Sequence, residues 1–197
     1  MLYGLDKKIK TLAKPKARAE CPCCGGVLVA KCGRVNIWHW AHDVNDPNCI
    51  IRPETEWHRE WKRHLRPELC EVHIVKDGVL KIADAVTPKG TVVEFQHSSI
   101  SVDEIELREA FYDDMVWVFD VREPYDNSRF ELGYYDDYCT FKWVHPKRSL
   151  YWVEKPLYLD IGGKYLFRVN EIESSKGSMS GWGTIGDVNK FKKFLYG

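Results

Sequence analysis

Apolar and polar positions change period several times along the chain, and each change marks an element. Over residues 53–66 the apolar side chains Trp57, Trp61 and Leu65 recur every four residues, the stripe of an amphipathic helix. Pro53 suits its first turn, Glu54 and Glu56 suit the positive end of its dipole, and Pro67 ends it. Residues 71–76 then read as a strand, with Asp77-Gly78 as a hairpin turn. A second hairpin follows around Thr87-Pro88-Lys89-Gly90, where Pro suits the second turn position and Gly90 a left-handed bulge. Ser101-Val-Asp-Glu104 is a capping box that opens a helix to about Asp114, with Leu107, Phe111 and Met115 as core positions. Residues 116–120, Val-Trp-Val-Phe-Asp, make a buried strand. The order from Pro53 is helix, three strands, helix, strand, an α/β arrangement.

The flanking segments have a different texture. Before the helix, residues 27–31 and 35–38 read as short strands joined by Cys32-Gly33-Arg34. After Tyr125 aromatic residues stud short β-like runs, among them 157–161 and 164–169, with Gly162-Gly163 as their turn. Residues 177–186 are rich in Gly and Ser and read as a mobile loop. Asp187 then caps a last helix that turns Phe191, Phe194 and Leu195 inward and Lys190, Lys192 and Lys193 outward. The aromatics pack a sheet or, in part, stack on single-stranded bases. Three segments result: a head over 1–52, a core over 53–125 and a β-rich aromatic extension over 126–197.

Composition adds limits. The 197 residues carry no net charge, so nothing global calls for a nucleic-acid partner. Locally, Lys7, Lys8, Lys10, Lys14, Lys16 and Arg18 make the first stretch basic, whereas 103–137 is acidic. The N-terminal stretch lacks the apolar run of a signal peptide and no segment is long enough to span a bilayer, so a cytoplasmic protein with no membrane partner is expected. In that compartment the seven cysteines, four of them between Cys21 and Cys32, favour metal binding over disulfides.

The chemistry concentrates in two places. Cys21-Pro-Cys-Cys24-Gly-Gly has the two-residue spacing of a zinc knuckle, and His39-Trp-Ala-His42 with Cys49 offers the remaining donors. Cys21, Cys24, His42 and Cys49 are the favoured set, with His39 the chief rival and Cys23 a weaker one. Four protein ligands leave no open position, so the zinc is structural. The second place is the 80–99 hairpin. With Pro88, Lys89 and Gly90 as its loop, Thr87 pairs with Thr91, and counting outward sets Asp84 opposite Glu94, with Gln96 facing the same way. Two carboxylates about 5 Å apart on one face repel unless a divalent cation joins them, as magnesium does in phosphodiester cleavage. The alternative is a solvated edge with the charge spread by Lys81 and Lys89. Glu54, His58 and Lys62 form a row on the first helix, either an exposed charged face or a third acid and a phosphate-binding cation beside the sheet.

Taken together, Cys-Pro-x-Cys, His-Trp-Ala-His, Glu54, His58, Lys62, Ile82-Ala-Asp84, Glu94-Phe-Gln96, Ser98, Arg108, Tyr112 and Trp117 resemble the CoiA-like competence proteins. The likeness extends to Trp143-Val-His-Pro and Tyr158-Leu-Asp-Ile-Gly. It implies a restriction-endonuclease-like PD-(D/E)XK core behind a zinc-ribbon-like head, in a DNA-acting protein of transformation, recombination or phage pathways. By this resemblance Asp84 and Glu94 bind Mg2+ or Mn2+, Glu54 matches the acid of the first core helix, and Gln96 stands where lysine is usual. His58, Lys62 or His97 then has to supply the missing charge. The expected activity is a metal-dependent deoxyribonuclease. The alternatives are a non-catalytic accessory that binds single-stranded or branched DNA beside a RecA-type recombinase, and an RNA-directed or host-defence nuclease.

Overall fold

The computed structural model describes residues 1–44, 46–47, 49, 54–175 and 177–197. Two compact units divide the chain, Met1–Ala85 and Val86–Gly197.

The first unit begins with an antiparallel sheet ordered β2-β1-β3-β4-β5, built from β1 (Tyr3–Asp6), β2 (Ile9–Leu12), β3 (Arg18–Glu20), β4 (Val27–Lys31) and β5 (His39–His42). Lys7 and Lys8 form the two-residue turn between β1 and β2, both with positive φ. Met1, Ala13, Ala19, Cys21, Leu28 and Trp40 make the core under this sheet. The expected strand at 35–38 forms instead at 39–42. Trp40 is the tryptophan that fills the core, while Trp38 stays half exposed and donates its indole N–H to Gly33 O at 3.0 Å.

Helix α1 (Glu56–Lys62) is shorter than its periodic stripe. Thr55 caps it by accepting from His58 N, so Glu54 lies ahead of the helix, and Pro53 lies outside the described residues. Trp57, Trp61 and Leu65 are buried as the stripe requires. After a 3-10 turn at Pro67–Leu69 come β6 (Cys70–Lys76) and β7 (Val79–Val86), joined by Asp77-Gly78 with φ of 52° and 77°, the signature of a type I′ turn.

The second unit opens on the expected turn. Thr87 N donates to Thr91 O, Gly90 N to Thr87 O, both at 2.9 Å, and Gly90 has φ 94°. Then follow β8 (Val92–Gln96), α2 (Val102–Phe111), β9 (Met115–Asp120), α3 (Arg122–Asp126), β10 (Phe130–Tyr134), β11 (Cys139–Val144), β12 (Leu157–Asp160), β13 (Tyr165–Ser175), β14 (Ser178–Asp187) and α4 (Val188–Tyr196). The mixed sheet runs β10-β11-β14-β13-β12-β9-β8, with β8, β9 and β12 parallel and the other neighbours antiparallel. Every residue of β9 is buried, as expected for a central strand with both faces covered.

Two expectations need correction here. In α2 the inward residues are Ile105 and Glu109, while Leu107 is 58% exposed; Met115 is buried as expected, at the start of β9. Glu109 is tolerated inside because its carboxylate accepts from the Trp117 indole at 2.9 Å and from the backbone N–H groups of Glu154 and Lys155. Residues 177–186 are not a loop, because Ser178–Asp187 is strand β14, paired on both sides. Its glycines serve close packing: a Cβ at Gly183 would lie 2.0 Å from the Arg168 carbonyl oxygen. Gly183→Ala is therefore expected to cost about 1–3 kcal/mol, seen as a lower urea midpoint at unchanged m. An unshifted midpoint would contradict this packing.

No helix among the described residues is long and apolar enough to cross a membrane.

Candidate metal centre and acidic clusters

The end of β3 runs into a tight loop in which Gly25 N donates to Cys21 O and Cys21 N to Gly26 O, while Gly25 takes φ 71°. This loop turns Cys21 and Cys24 toward His42, the last residue of β5, and toward Cys49. One donor atom from each of the four lies within 4.8 Å of all the others. Cys21 Sγ is 3.8 Å from Cys49 Sγ, and Cys24 Sγ is 3.3 Å from His42 Nε2. Zinc with Zn–S near 2.3 Å and Zn–N near 2.0–2.1 Å requires, in a tetrahedron, about 3.8 Å between sulfurs and about 3.5 Å between sulfur and nitrogen. The donor set therefore fits a closed structural site.

The Cys23 N–H points at Cys21 Sγ from 3.4 Å. Burial pushes the Cys21 thiol up, only partly countered by the N–H groups of Cys24 and Cys23. His39 is held elsewhere, with Nδ1 donating to Ile37 O at 2.9 Å. Cys23 and Cys32 pack against the core of the head.

The second constellation of the first unit surrounds Lys62, which is 1% exposed at the last position of α1. Its ammonium pairs with Glu54, with Glu71 Oε1 at 3.4 Å and with Asp84 Oδ1 at 3.3 Å. The Met1 amino group stands 3.4 Å from Glu54 Oε2. Burial alone would discharge Lys62, but the charges of Asp84 and then Glu71 outweigh it and hold its pKa above the ordinary lysine value. The row read on one helix face is thus divided. Glu54 reaches Lys62 from ahead of the helix, Lys62 is buried, and His58 Nδ1 hydrogen-bonds Thr55 Oγ1 at 2.7 Å.

Glu71 reads from sequence only as a strand residue, yet it is buried and central. Its φ of 50° breaks the alternation of β6, so that Cys70 and Glu71 both turn inward. The conformation costs on the order of 1–3 kcal/mol. It brings Oε1 to Lys62 and to Leu2 N at 3.0 Å, while Lys10 Nζ ties down the carbonyls of Cys70 and Glu71 at 2.6 and 3.0 Å. Glu71 Oε2 is buried and, among the described residues, makes no hydrogen bond.

In the second unit Glu94 of β8 is 1% exposed and ion-paired with Arg108 of α2, which also donates from Nε to Glu104 Oε1 at 2.7 Å. Gln96 Nε2 donates to Ser98 O at 2.8 Å. Where the parallel strands end, Asp120 Oδ2 accepts from His97 Nδ1 at 2.8 Å, and Arg122 grips both of its oxygens at 2.9 Å. Burial would raise the Asp120 carboxyl, but Arg122 and His97 hold it below the usual range. Lys147 Nζ donates to the carbonyls of His97 and Asp120. Of this set the sequence points only to His97, as a source of charge; Asp120, Arg122 and Lys147 sit at element ends with no periodic signal.

Residues 5–51 match the family model described as Competence protein CoiA, N-terminal domain. No curated protein and no solved structure matches the chain. The matched stretch contains the sheet β1 to β5 from Leu5 onward and all four donors of the metal centre. Over these residues the chain is similar to the competence protein CoiA N-terminal domain family.

Proposed function

We propose that the chain is a metal-dependent deoxyribonuclease of the PD-(D/E)XK type acting in competence-related DNA processing. The observation that carries this reading is the buried, charged Lys62 held against Asp84 and Glu54. Nucleases of this plan need a cation beside their acids, and Gln96 is uncharged where lysine is usual. Lys62 supplies that charge from α1.

Asp84 and Glu94 are the proposed ligands of Mg2+ or Mn2+. Asp84 is partly open to solvent, with its side chain 23% exposed, and hard carboxylate oxygens suit these ions. The buried Glu71 Oε2, without a hydrogen bond among the described residues, adds uncompensated acceptor capacity to the same cluster. The bound ion would polarise the scissile phosphate and acidify a water. Lys62 offsets developing charge, and Gln96, steadied by Ser98 O, orients water by hydrogen bonding. Zinc at Cys21, Cys24, His42 and Cys49 staples the head and takes no part in the chemistry.

A second reading rests on the ion pairs themselves. Lys62 on Asp84 and Arg108 on Glu94 already answer the carboxylate charges, which favours an accessory that binds single-stranded or branched DNA beside a RecA-type recombinase without cutting it. Labelled single-stranded, duplex and branched DNA, offered with magnesium or manganese, separates the two. Cleavage by the wild type that falls at least about 100-fold in Asp84→Asn supports the nuclease. Equal cutting by the variant overturns it, and binding without cutting selects the accessory.

A further inference from the structure

Away from both acidic clusters, the second unit carries a groove between its sheet and α4 that no part of the nuclease reading uses. Tyr158, Arg168 and Thr184 form one row across β12, β13 and β14. Two residues further along the same face Leu166 pairs with Gly186, where α4 covers the sheet. Phe191 and Leu195 anchor that helix, and Phe191 lies 4.8 Å from the Tyr158 ring, tilted by 56°. Phe194 continues the series 5.5 Å beyond Phe191 and is 39% exposed. The groove encloses about 360 Å³, lined by these aromatics together with Arg168, Thr184 and Lys190.

Its depth comes from Gly186, where an added Cβ would meet only the Leu166 carbonyl oxygen, at 4.0 Å. The acid in the lining, Asp187, is committed to the helix cap, with Oδ1 accepting from Asn189 N at 2.7 Å. Arg168 and Lys190 are both exposed. Aromatic faces beside cations, with the acid occupied by the backbone, suit a flat ring that carries a nearby negative charge.

We infer that this groove is a binding site for single-stranded DNA, which seats an unpaired base against Phe194 and Phe191 and sets the flanking phosphates on Arg168 and Lys190. Duplex bases are stacked on one another and cannot enter, so the groove selects a single strand. The inference deepens the DNA-processing reading by naming the form of DNA held, and it does not depend on cleavage.

The test is fluorescence anisotropy of a labelled oligothymidylate about a dozen nucleotides long, titrated with the zinc-loaded full chain without added magnesium. Phe194→Ala, which alters a surface ring, is expected to weaken binding roughly five-fold or more. Arg168→Glu should weaken it further and flatten the salt dependence by about 0.7 in the log-log slope for the lost phosphate contact. Gly186→Leu should block the groove while leaving the unfolding midpoint near wild type. On an abasic strand of the same length the Phe194→Ala effect should vanish.

The inference is overturned if the wild type does not bind the strand, if the three variants bind like wild type, or if duplex and abasic strands bind equally well. A protein that binds through the groove but never cuts refutes the nuclease alone. One that cuts and is indifferent to Phe194, Arg168 and Gly186 refutes the groove alone.

Discussion

Lys62→Met is expected to lower the unfolding free energy by about 3–5 kcal/mol, the cost of removing one partner from a buried ionic cluster. The methionine fills the volume, so the loss reports charge and not a cavity. Glu54, Glu71 and Asp84 would remain around an apolar side chain, and Glu71, itself in a left-handed conformation, would lose part of its compensation. Urea unfolding followed by tryptophan fluorescence reads the change, because Trp57 and Trp61 stand on the same helix. Adding Glu71→Gln should restore part of the loss by removing one stranded charge. The pH dependence has a definite sign. The folded pKa of Lys62 is raised, so its contribution is complete below the unfolded lysine value, about 10.4, and fades only as pH climbs through the folded value. A Lys62→Met midpoint equal to wild type would mean that the cluster contributes nothing net.

The second large effect is loss of the metal. One zinc per chain is expected by elemental mass spectrometry, and Cys24→Ser or His42→Ala should release it, whereas His39→Ala should retain it. Structural zinc contributes roughly 10–16 kcal/mol in isolated zinc fingers, which sets an upper bound for this head. The head also has its own small core, Leu28 and Trp40 included, so part of its structure outlasts the metal. Chelation should nonetheless collapse the loop around Cys21 and Cys24 and change the near-ultraviolet signal of Trp40. Cys24→Ser with the zinc content of wild type would refute the ligand assignment.

The parts of the fold that were legible in the sequence are those written in local chemistry. Ser101 caps α2 by accepting from Glu104 N, and Asp187 caps α4. Asp77-Gly78 and Gly162-Gly163 take the positive φ that such turns demand. The Cys21, Cys24, His42 and Cys49 cluster was legible because thiolate and imidazole spacing is itself the constraint. Illegible were the positions where a long-range partner overrides local preference. Glu109 faces inward because Trp117 and two backbone amides receive it, and hydrophobic periodicity gives a glutamate no weight. Glu71 turns inward through a backbone conformation that no residue type announced. Strand β14 reads as a loop because its glycines resemble linker composition, although Gly181 and Gly183 are there to admit neighbouring carbonyls. The Glu54, His58, Lys62 row had the right spacing for a helix face, yet the cap at Thr55 starts the helix after Glu54, and the pairing survives by another route.

The same overrides bear on Gln96. On the proposed nuclease reading Gln96 brings no charge to the acids, and Lys62 is the cation paired with Asp84.

Divalent-ion binding by the zinc-loaded protein tests the central claim most directly, because it reads the acids without requiring turnover. Manganese titration followed by electron paramagnetic resonance is expected to show a bound ion in the wild type that is lost in both Asp84→Asn and Glu94→Gln. Wild type that binds no manganese, or variants that bind it as wild type does, would contradict the proposed site.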